Sequence, residues 1–259
     1  MEKIKVIING IMGNMGQTVR NLVEADESLE LVAGIDGRIC EGDFPFKTFG
    51  NIYNCNVKAD VVIDFSVASC TDDLLHYCKE KKLPLVLCTT GLSEETLKLV
   101  EESSKIIPIF KSANMSIGIN VINNLLKKVS PFLYDINFDI EIIEKHHNRK
   151  VDAPSGTALL LADTIKDTIN KEQRFVYDRS SVRQKREKEE IGIHAVRGGT
   201  IVGEHSVIFA GNNEIIEIQH QATSREVFAV GAINACKFLA NEEPGIYDMD
   251  NLINKVVKF

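Results

Sequence analysis

The sequence predicts an α/β fold, in which a Rossmann-type, doubly wound parallel sheet is joined to a smaller α+β domain with a mixed sheet. In the first half, short apolar runs alternate with amphipathic helical segments, which is typical of parallel sheets. A glycine-rich turn directly follows the first of these runs. In the second half, apolar residues recur at every second position, which indicates strands with one polar face.

Short apolar runs bounded by polar residues, glycine or proline predict the strands of the first half. These runs are 3–9, 29–36, 61–64, 85–88 and 107–110. Helical spacing predicts helices over 14–24, 69–81 and 93–104. Ser93 precedes two glutamates at the start of the third helix, a pattern that favours a helix N-terminus.

The second half alternates apolar and polar residues from Ile136 to Ile142, which predicts a strand. Further strands are predicted over 191–196, 205–209 and 215–221. A helix is predicted over 153–169, with a core stripe of Leu159, Leu160, Ala162 and Ile165. Two more helices, 225–239 and 251–257, close the chain, and the mixed charges of 179–190 predict a solvated connector.

Charge and composition exclude several classes of protein. A net charge of −7 disfavours a general nucleic-acid binder, and 44% apolar residues are ordinary for a globular protein. No apolar stretch approaches the roughly 20 residues of a membrane span, and no signal peptide precedes the first strand. The six cysteines lack C-x-x-C or zinc-like spacing, so we expect reduced thiols, a cytoplasmic protein and no metal site.

The glycine-rich turn has the spacing G-x-x-G-x-x-G, formed by Gly10, Gly13 and Gly16. Glycines between a strand and a helix allow the backbone to approach a pyrophosphate at the helix N-terminus. Asp36 ends the second strand twenty positions after Gly16, where an acid accepts hydrogen bonds from ribose hydroxyls. The turn therefore predicts dinucleotide binding; the alternative is a turn that requires glycine for packing alone.

Asp36 and Arg38 give opposing indications about the cofactor. A carboxylate repels the 2′-phosphate of NADPH, whereas Arg38 is able to pair with it. The sequence predicts that NADH is preferred and that NADPH is also accepted.

Three polar clusters follow predicted strands, at the sheet edge that faces the ligand in open parallel sheets. We expect residues of these clusters to line the cofactor site: Phe65 and Ser66; Thr89, Thr90 and Gly91; Ala113, Asn114 and Met115.

The segment from His146 to Thr157 combines acid–base groups with an anion site. His146 and His147 are able to exchange protons near neutral pH, and Lys150 adds a fixed positive charge. Ser155, Gly156 and Thr157 stand where a helix begins and offer backbone N–H groups to an anion. This combination indicates a proton donor beside a carboxylate or phosphate site; the alternative is a polar surface loop with a helix cap.

With these residues assembled, the chain resembles the dihydrodipicolinate reductase family over essentially its whole length. The most specific stretches are 144–158 and 196–205, and the glycine turn and the strand-end clusters follow in the family's order. The resemblance implies a dinucleotide-binding domain of residues 1–116 and 225–259. It also implies a substrate-binding domain, 117–224, whose sheet builds a homotetramer.

The resemblance further implies NAD(P)H-dependent reduction of the dehydrated form of 4-hydroxy-tetrahydrodipicolinate to tetrahydrodipicolinate, in lysine and diaminopimelate biosynthesis. His146 and Lys150 are the candidate catalytic residues: His146 is expected to act as the general acid, and Lys150 to anchor a carboxylate of the small dicarboxylate substrate and to support charge development. His147, Ser155, Gly156 and Thr157 complete the carboxylate site, and Asn14 and Met15 belong to the cofactor site.

Some residues depart from the family pattern. Asn14 stands where arginine is frequent, Met115 replaces a common aromatic residue, and Asn148 lacks the usual basic charge. These changes bear on affinity and cofactor choice more than on the reaction. Arg197 matches the pattern, but the sequence leaves open whether it contacts a ligand or a neighbouring subunit.

Two other functions remain open. One is a Rossmann-type reductase acting on a different imine or carbonyl substrate, and the other is a non-catalytic dinucleotide sensor, which would leave His146 and Lys150 without a role. The histidines 76, 194, 205 and 220 are expected to be structural or surface residues.

Overall fold

The computed structural model describes residues 2–39 and 44–256. The strands are β1 (Ile4–Asn9), β2 (Leu29–Ile35), β3 (Lys47–Phe49), β4 (Val61–Asp64), β5 (Leu85–Leu87), β6 (Pro108–Phe110), β7 (Asp139–His146), β8 (Arg174–Val176), β9 (Glu190–Arg197), β10 (Gly203–Ala210), β11 (Ile215–Ala222) and β12 (Gly245–Tyr247). The helices are α1 (Asn14–Ala25), α2 (Thr71–Lys81), α3 (Glu94–Ser104), α4 (Ile117–Asp135), α5 (Gly156–Thr168), α6 (Glu226–Leu239) and α7 (Met249–Val256).

The chain forms two compact units, Met1–Ser116 with Glu226–Lys258, and Ile117–Arg225. The chain returns to the first unit at Glu226, one residue after the predicted boundary at 225, so Arg225 belongs to the second unit. Within the described residues, no helix is both long and apolar enough to cross a membrane.

The first unit contains a seven-stranded sheet in the order β12-β6-β5-β4-β1-β2-β3, and all neighbouring strands are parallel. Its core consists of buried aliphatic residues from strands and helices, among them Ile7, Val62, Leu74, Leu85 and Ile109. The strand order reverses between β1 and β4. Ligands of such sheets bind at the carboxyl ends of the strands beside this reversal.

The second unit contains a mixed sheet in the order β11-β10-β7-β9-β8. β10 is antiparallel to β11 and β7, whereas β9 is parallel to β7 and β8. The alternation along β7 places Ile140 and Ile142 in the core together with residues of α4 and α5. Because side chains alternate along a strand, Glu144 and His146 share this buried face. The predicted fold class is confirmed.

The start of α5 and its buried face differ from the prediction. The helix begins at Gly156 instead of residue 153, because Ser155 is its N-cap and accepts a hydrogen bond from the N–H of Ala158. The buried stripe is Ala158, Leu161, Ala162 and Ile165, whereas Leu159 and Leu160 are only partly buried. Ala162 and Ile165 are buried as predicted and Leu159 packs against the core, whereas the prediction that Leu160 is a core residue was wrong.

The strand predicted from Ile136 begins only at Asp139. α4, which the sequence analysis missed, extends to Asp135, and Asn137 has a φ of 73° that turns the chain between helix and strand. The three-residue strands β3, β8 and β12 were also missed. The predicted helix over 251–257 begins at Met249, and Val257 lies outside the described residues.

The segment 179–190 is mostly exposed, as expected of a solvated connector, but several of its charged side chains bind the mixed sheet. Arg186 donates hydrogen bonds to Asp139 and Glu141 of β7 and to the carbonyl oxygen of Ile140. Arg179 pairs with Glu190 at 2.5 Å. The charges of this segment therefore bind it to the mixed sheet, an outcome that depends on partners distant in sequence.

The cysteines at 55, 70, 78, 88 and 236 are free thiols, and Cys40 lies outside the described residues. Within 2–39 and 44–256, no group of three or more His, Cys, Asp or Glu side chains is placed to hold a metal ion.

Candidate functional site

The glycine turn at the end of β1 brings two backbone segments into close contact. Gly10 has a φ of 80°, and a Cβ atom there would lie 2.6 Å from the carbonyl oxygen of Phe65. A Cβ atom on Gly16 would lie 2.1 Å from the carbonyl oxygen of Gly10. Gly13 is the N-cap of α1, so the cap residue contributes no side chain and no side-chain cap hydrogen bond at the helix N-terminus. Such a turn suits a pyrophosphate, which needs close backbone approach and exposed N–H groups.

Asp36 follows β2 and is bound from two sides. Arg38 donates from Nε to Oδ1 at 2.9 Å and from Nη2 to Oδ2 at 3.0 Å. The N–H of Met12 in the glycine turn donates to Oδ2 at 3.1 Å. The hydrogen bond from Arg38 is the main reason that the pKa of Asp36 is lowered, so the carboxylate is ionised beside the turn.

Asp64 is a fully buried carboxylate at the end of β4. It accepts hydrogen bonds from Asn9 Nδ2 at 2.8 Å, from Thr89 Oγ1 at 2.6 Å and from the N–H of Ser66 at 3.2 Å. Burial raises its pKa, and the hydrogen bonds oppose that change. Asp64 therefore connects three neighbouring strand ends at the reversal of strand order.

Two adjoining cavities collect most of the predicted cofactor residues. The first is lined by Gly10, Gly13, Asp36, Arg38, Phe65 and Ser66 among others. The second is lined by Gly13, Asn14, Met15, Phe65, Ser66, Thr89, Thr90, Ala113, Asn114 and Met115, together with Phe228 of α6. Gly16 and Gly91 line neither: Gly16 is buried beneath the turn, and Gly91 is exposed with a φ of 73°.

The residues of this crevice fit a dinucleotide. The hydroxyl of Ser66 is buried, lacks a hydrogen-bond partner and belongs to the lining of both cavities. Phe228 was missed by the sequence analysis because it lies on α6, more than a hundred residues after the other lining residues.

The second unit holds a buried ionic cluster around Glu144, whose side chain is fully buried. Its Oε2 lies 2.7 Å from Nδ1 of His146, and its Oε1 accepts from the N–H of Ser155 at 3.0 Å. Arg197 of β9 donates to both oxygens at 2.6 Å. Burial opposes ionisation of Glu144, but the hydrogen bonds from Arg197, His146 and Ser155 outweigh it and lower the pKa.

Strand register explains this cluster. β7 and β9 are parallel, and their pairing places His146 opposite Arg197 at the carboxyl end of both strands. Arg197 also donates to the carbonyl oxygen of Asp152 at 2.6 Å, which holds the segment between β7 and α5. Arg197, whose role the sequence left open, thus binds Glu144 within its own chain.

Ser155 is engaged entirely by the protein. Its Oγ accepts from Ala158 N–H and lies 3.0 Å from Nε2 of His205, and its own N–H binds Glu144. His205 is buried and meets the His146 ring edge-on, with ring centroids 5.1 Å apart. Among the predicted anion-binding residues, Gly156 and Thr157 occupy the first helical positions of α5, where helix geometry directs N–H groups away from the helix.

Cations lie around the remaining predicted residues. Lys150 pairs with Asp152 at 2.9 Å, and Arg225 Nη2 lies 3.3 Å from Nε2 of His147. Partial desolvation, followed by the positive charge of Arg225, lowers the pKa of His147. These surroundings favour the neutral form of His147, which is able to donate or accept a hydrogen bond.

The sequence analysis missed Glu144, His205 and Arg225 as members of this cluster. The alternation along β7 gave a usable signal for Glu144, because residues two apart on a strand share a face. His205 and Arg225 depend on pairing across 50 and 78 positions, for which the sequence has no local signal.

Comparisons with known proteins cover the whole of this architecture. A model of the dihydrodipicolinate reductase N-terminus matches residues 4–115, and one of the C-terminus matches residues 118–253. The 4-hydroxy-tetrahydrodipicolinate reductase of Clostridium novyi (strain NT) is 57% identical over 96% of this chain and 98% of its own. That of Caldanaerobacter subterraneus subsp. tengcongensis is 51% identical, with 97% and 99% coverage.

Solved structures show the same fold. Dipicolinate-bound dihydrodipicolinate reductase from Paenisporosarcina sp. TG-14 superposes with a TM-score of 0.80 at 23% identity, covering 98% of this chain and 100% of its own. A myo-inositol dehydrogenase from Corynebacterium glutamicum gives 0.59 at 14% identity, with 97% and 92% coverage. From the two matched models and the high identity of its full-length relatives, the chain belongs to the dihydrodipicolinate reductase family.

Proposed function

We propose that this chain reduces the dehydrated form of 4-hydroxy-tetrahydrodipicolinate to tetrahydrodipicolinate with NADH or NADPH, as a step of lysine and diaminopimelate biosynthesis. The observation that carries the proposal is a buried imidazole, His146, held at Nδ1 by the buried Glu144 in a site bordered by Lys150 and Arg225. An acid surrounded by cations suits a dianionic substrate that must receive a proton.

The cofactor would be held in the crevice of the first unit. The glycine turn and the N-terminus of α1 would bind the pyrophosphate, and Asp36 would accept hydrogen bonds from the ribose hydroxyls. The lining residues Ser66, Thr89 and Thr90 would approach the nicotinamide end. When bound, the reduced nicotinamide supplies the hydride. We propose that NADH is preferred and NADPH accepted, since Arg38 stands beside Asp36.

The carboxylates of the substrate would be bound by Lys150, by His147 and by the N–H groups of Gly156 and Thr157. Charge-assisted hydrogen bonds contribute roughly 1.5–3 kcal/mol each, so a few of them hold a small diacid. Ser155 would contribute indirectly, because it caps α5 and thereby places the N–H groups of the first turn.

His146 would deliver the proton. Addition of a hydride to a conjugated C=C–C=N unit leaves negative charge at the far end of that unit, where a proton must be added. A positioned acid of this kind contributes about 10²–10⁴-fold to the rate. Lys150 would stabilise the negative charge while it develops.

We also propose that the chain assembles as a homotetramer through the mixed sheet. Helices α4 and α5 contribute to the second unit's core, whereas the edge strand β11 exposes Ile215 and, two strands beyond its neighbour β10, β9 exposes Val196. Light scattering after size-exclusion chromatography tests this, with four times the 28.8 kDa of one chain as the expected mass.

Cofactor oxidation by the purified protein tests the function, with the substrate generated in situ from pyruvate and aspartate semialdehyde by the preceding synthase. Oxidation that requires the synthase supports the proposal, and His146→Gln is expected to lower kcat by about 10²-fold or more. A folded protein that binds NADH without turnover would instead indicate a dinucleotide sensor. Turnover only with other imines or carbonyls would indicate a different reductase.

A further inference from the structure

The Glu144 carboxylate accepts four hydrogen bonds, which is its full capacity. Oε1 receives the N–H of Ser155 and Nη2 of Arg197, and Oε2 receives Nη1 of Arg197 and Nδ1 of His146. With no exposed surface, Glu144 is unable to touch a ligand. Its influence on chemistry must pass through the groups that it binds.

The contact with His146 fixes which ring nitrogen exchanges protons. An ionised carboxylate only accepts hydrogen bonds, so Nδ1 carries its hydrogen and Nε2 is the nitrogen available for proton exchange. A Cβ atom on Gly203 would lie 3.1 Å from Nε2, so glycine at this position leaves space beside that nitrogen.

The contact with Ser155 fixes the start of α5. Ser155 is the N-cap, and its backbone N–H binds the same carboxylate that orients the imidazole. The proton donor and the first turn of α5 are therefore anchored on a single carboxylate, 11 positions before Ser155 in sequence.

Arg197 supplies the compensating charge. An unpaired buried carboxylate would bind a proton itself or retain one strongly on the neighbouring imidazole, and either outcome impairs an acid that must release its proton. Arg197 on β9 and His205 on β10 contact this pair, His147 and Lys150 follow β7, and His220 on β11 lies near His205.

We infer that Glu144 is a positioning residue that sets the tautomer of His146 and the position of the α5 N-terminus together, with Arg197 as its counter-charge. The inference rests on the proposed function for its kinetic consequence, but not for the tautomer itself. Supporting groups of this type typically contribute 10–100-fold to activity.

The test replaces Glu144 with Gln. Two donors, Ser155 N–H and Arg197, converge on one side of the side chain, so the amide oxygen is expected there and the NH₂ group towards His146. The ring must then carry its hydrogen on Nε2 and accept at Nδ1, so the imidazolium that donates the proton is disfavoured and the remaining neutral ring is a much weaker acid. Long-range ¹H–¹⁵N correlation spectra report the tautomer directly, with His146→Gln to assign the signals.

A matched control lies on the same strand. Glu141 also binds a histidine, His194 at 2.7 Å, and an arginine, Arg186 at 2.9 Å, but its side chain belongs to the other face of β7. We expect Glu141→Gln to leave the His146 signals and kcat close to wild type. Elution volume and thermal unfolding check that each variant keeps its fold and assembly.

For Glu144→Gln we expect the Nε2–H tautomer, a kcat about 10²-fold lower, an unchanged KM for the cofactor and a basic limb of the pH profile displaced to lower pH. The Nδ1–H tautomer together with a kcat equal to that of Glu141→Gln would overturn the inference. A changed tautomer in a protein whose wild type lacks reductase activity would refute the proposed function and leave the positioning role intact.

Glu144→Asp covers the case in which the Gln variant does not fold. It keeps the charge but withdraws the oxygens by one methylene, so we expect the Nδ1–H tautomer and the wild-type pH profile with a lower kcat. A kcat equal to wild type in this variant would also overturn the inference.

Discussion

The guanidinium of Arg38 donates two hydrogen bonds, 2.9 Å and 3.0 Å long, to the carboxylate of Asp36. The Arg38 side chain is 68% exposed, whereas that of Asp36 is 8% exposed. The arginine is thus able to rotate towards a ligand while the carboxylate stays fixed against the glycine turn. Within two residues, this pair therefore offers a hydrogen-bond acceptor for ribose hydroxyls, Asp36, and a hydrogen-bond donor for a 2′-phosphate, Arg38.

Replacing Arg38 with Ala tests whether Arg38 favours NADPH while Asp36 serves NADH. Loss of one charge-assisted contact, and exposure of an uncompensated Asp36, are expected to lower kcat/KM for NADPH by about tenfold or more. The kcat/KM for NADH should change by less than about threefold, since Asp36 remains able to accept hydrogen bonds from the ribose hydroxyls. Arg20→Ala, which removes an arginine paired with Glu24 on α1, is the control. Equal losses for both cofactors would contradict this assignment.

Gly16→Ala addresses the glycine turn. The added Cβ atom would lie 2.1 Å from the carbonyl oxygen of Gly10, so the turn or the start of α1 must move. We expect weaker binding of both NADH and NADPH, by about tenfold or more, because a displacement of the turn alters every backbone contact to the pyrophosphate. Isothermal titration measures the dissociation constants. Gly198→Ala, where no atom lies within 4 Å of the added carbon, should bind both cofactors as the wild type does.

The strand β4 was predicted to the residue, because its apolar run is short and bounded by polar residues. The helix α4 was missed because its buried positions include Asn120, Asn123 and Asn124 and because it contains Pro131, all unusual in a helix interior. The strands β3, β8 and β12 have three residues each and are partly exposed, so they lack the buried apolar run that identified the equally short β5 and β6.

For the candidate site, local sequence predicted two sets of residues that the structure brings together in part, but not the contacts that orient them. Ser155 was predicted as part of an anion site, yet its N–H donates to Glu144 and its Oγ contacts His205. The pairing of Glu144 with Arg197 spans 53 positions and depends on the register of β7 and β9. Register follows from packing of whole strands, which a single sequence does not encode locally.

Lys150→Met is expected to weaken binding of the diacid. Lys150 pairs with Asp152, whose pKa it lowers, and a carboxylate ligand would compete for the same ammonium group. Loss of one charge-assisted contact predicts a rise of about tenfold or more in the dissociation constant for pyridine-2,6-dicarboxylate. Lys145→Met is the matched control, because Lys145 also pairs with a carboxylate, Glu204 at 3.0 Å. Equal effects of the two substitutions would show that overall charge, and not a direct contact, governs binding.

We expect His205 to make the second unit less stable in mild acid. Burial, reinforced by the neighbouring His146, lowers the pKa of His205 to about 4, from 6.5 in the unfolded chain. Above pH 6.5 the imidazole is neutral in both states and has no effect on the free energy of unfolding. As the pH falls from about 6.5 to about 4, the unfolded chain binds a proton that the folded chain does not, so stability is lost across that window.

The expected loss attributable to His205 is about 2 kcal/mol between about pH 7.5 and about pH 5. His205→Gln removes the titrating group while its amide is still able to hydrogen-bond to Ser155 Oγ. Urea unfolding of this variant should therefore show a smaller pH dependence than that of the wild type, whatever its absolute stability. His76→Gln, a substitution on the exposed face of α2, should retain the full wild-type dependence. An unchanged dependence in His205→Gln would mean that other groups cause the acid sensitivity.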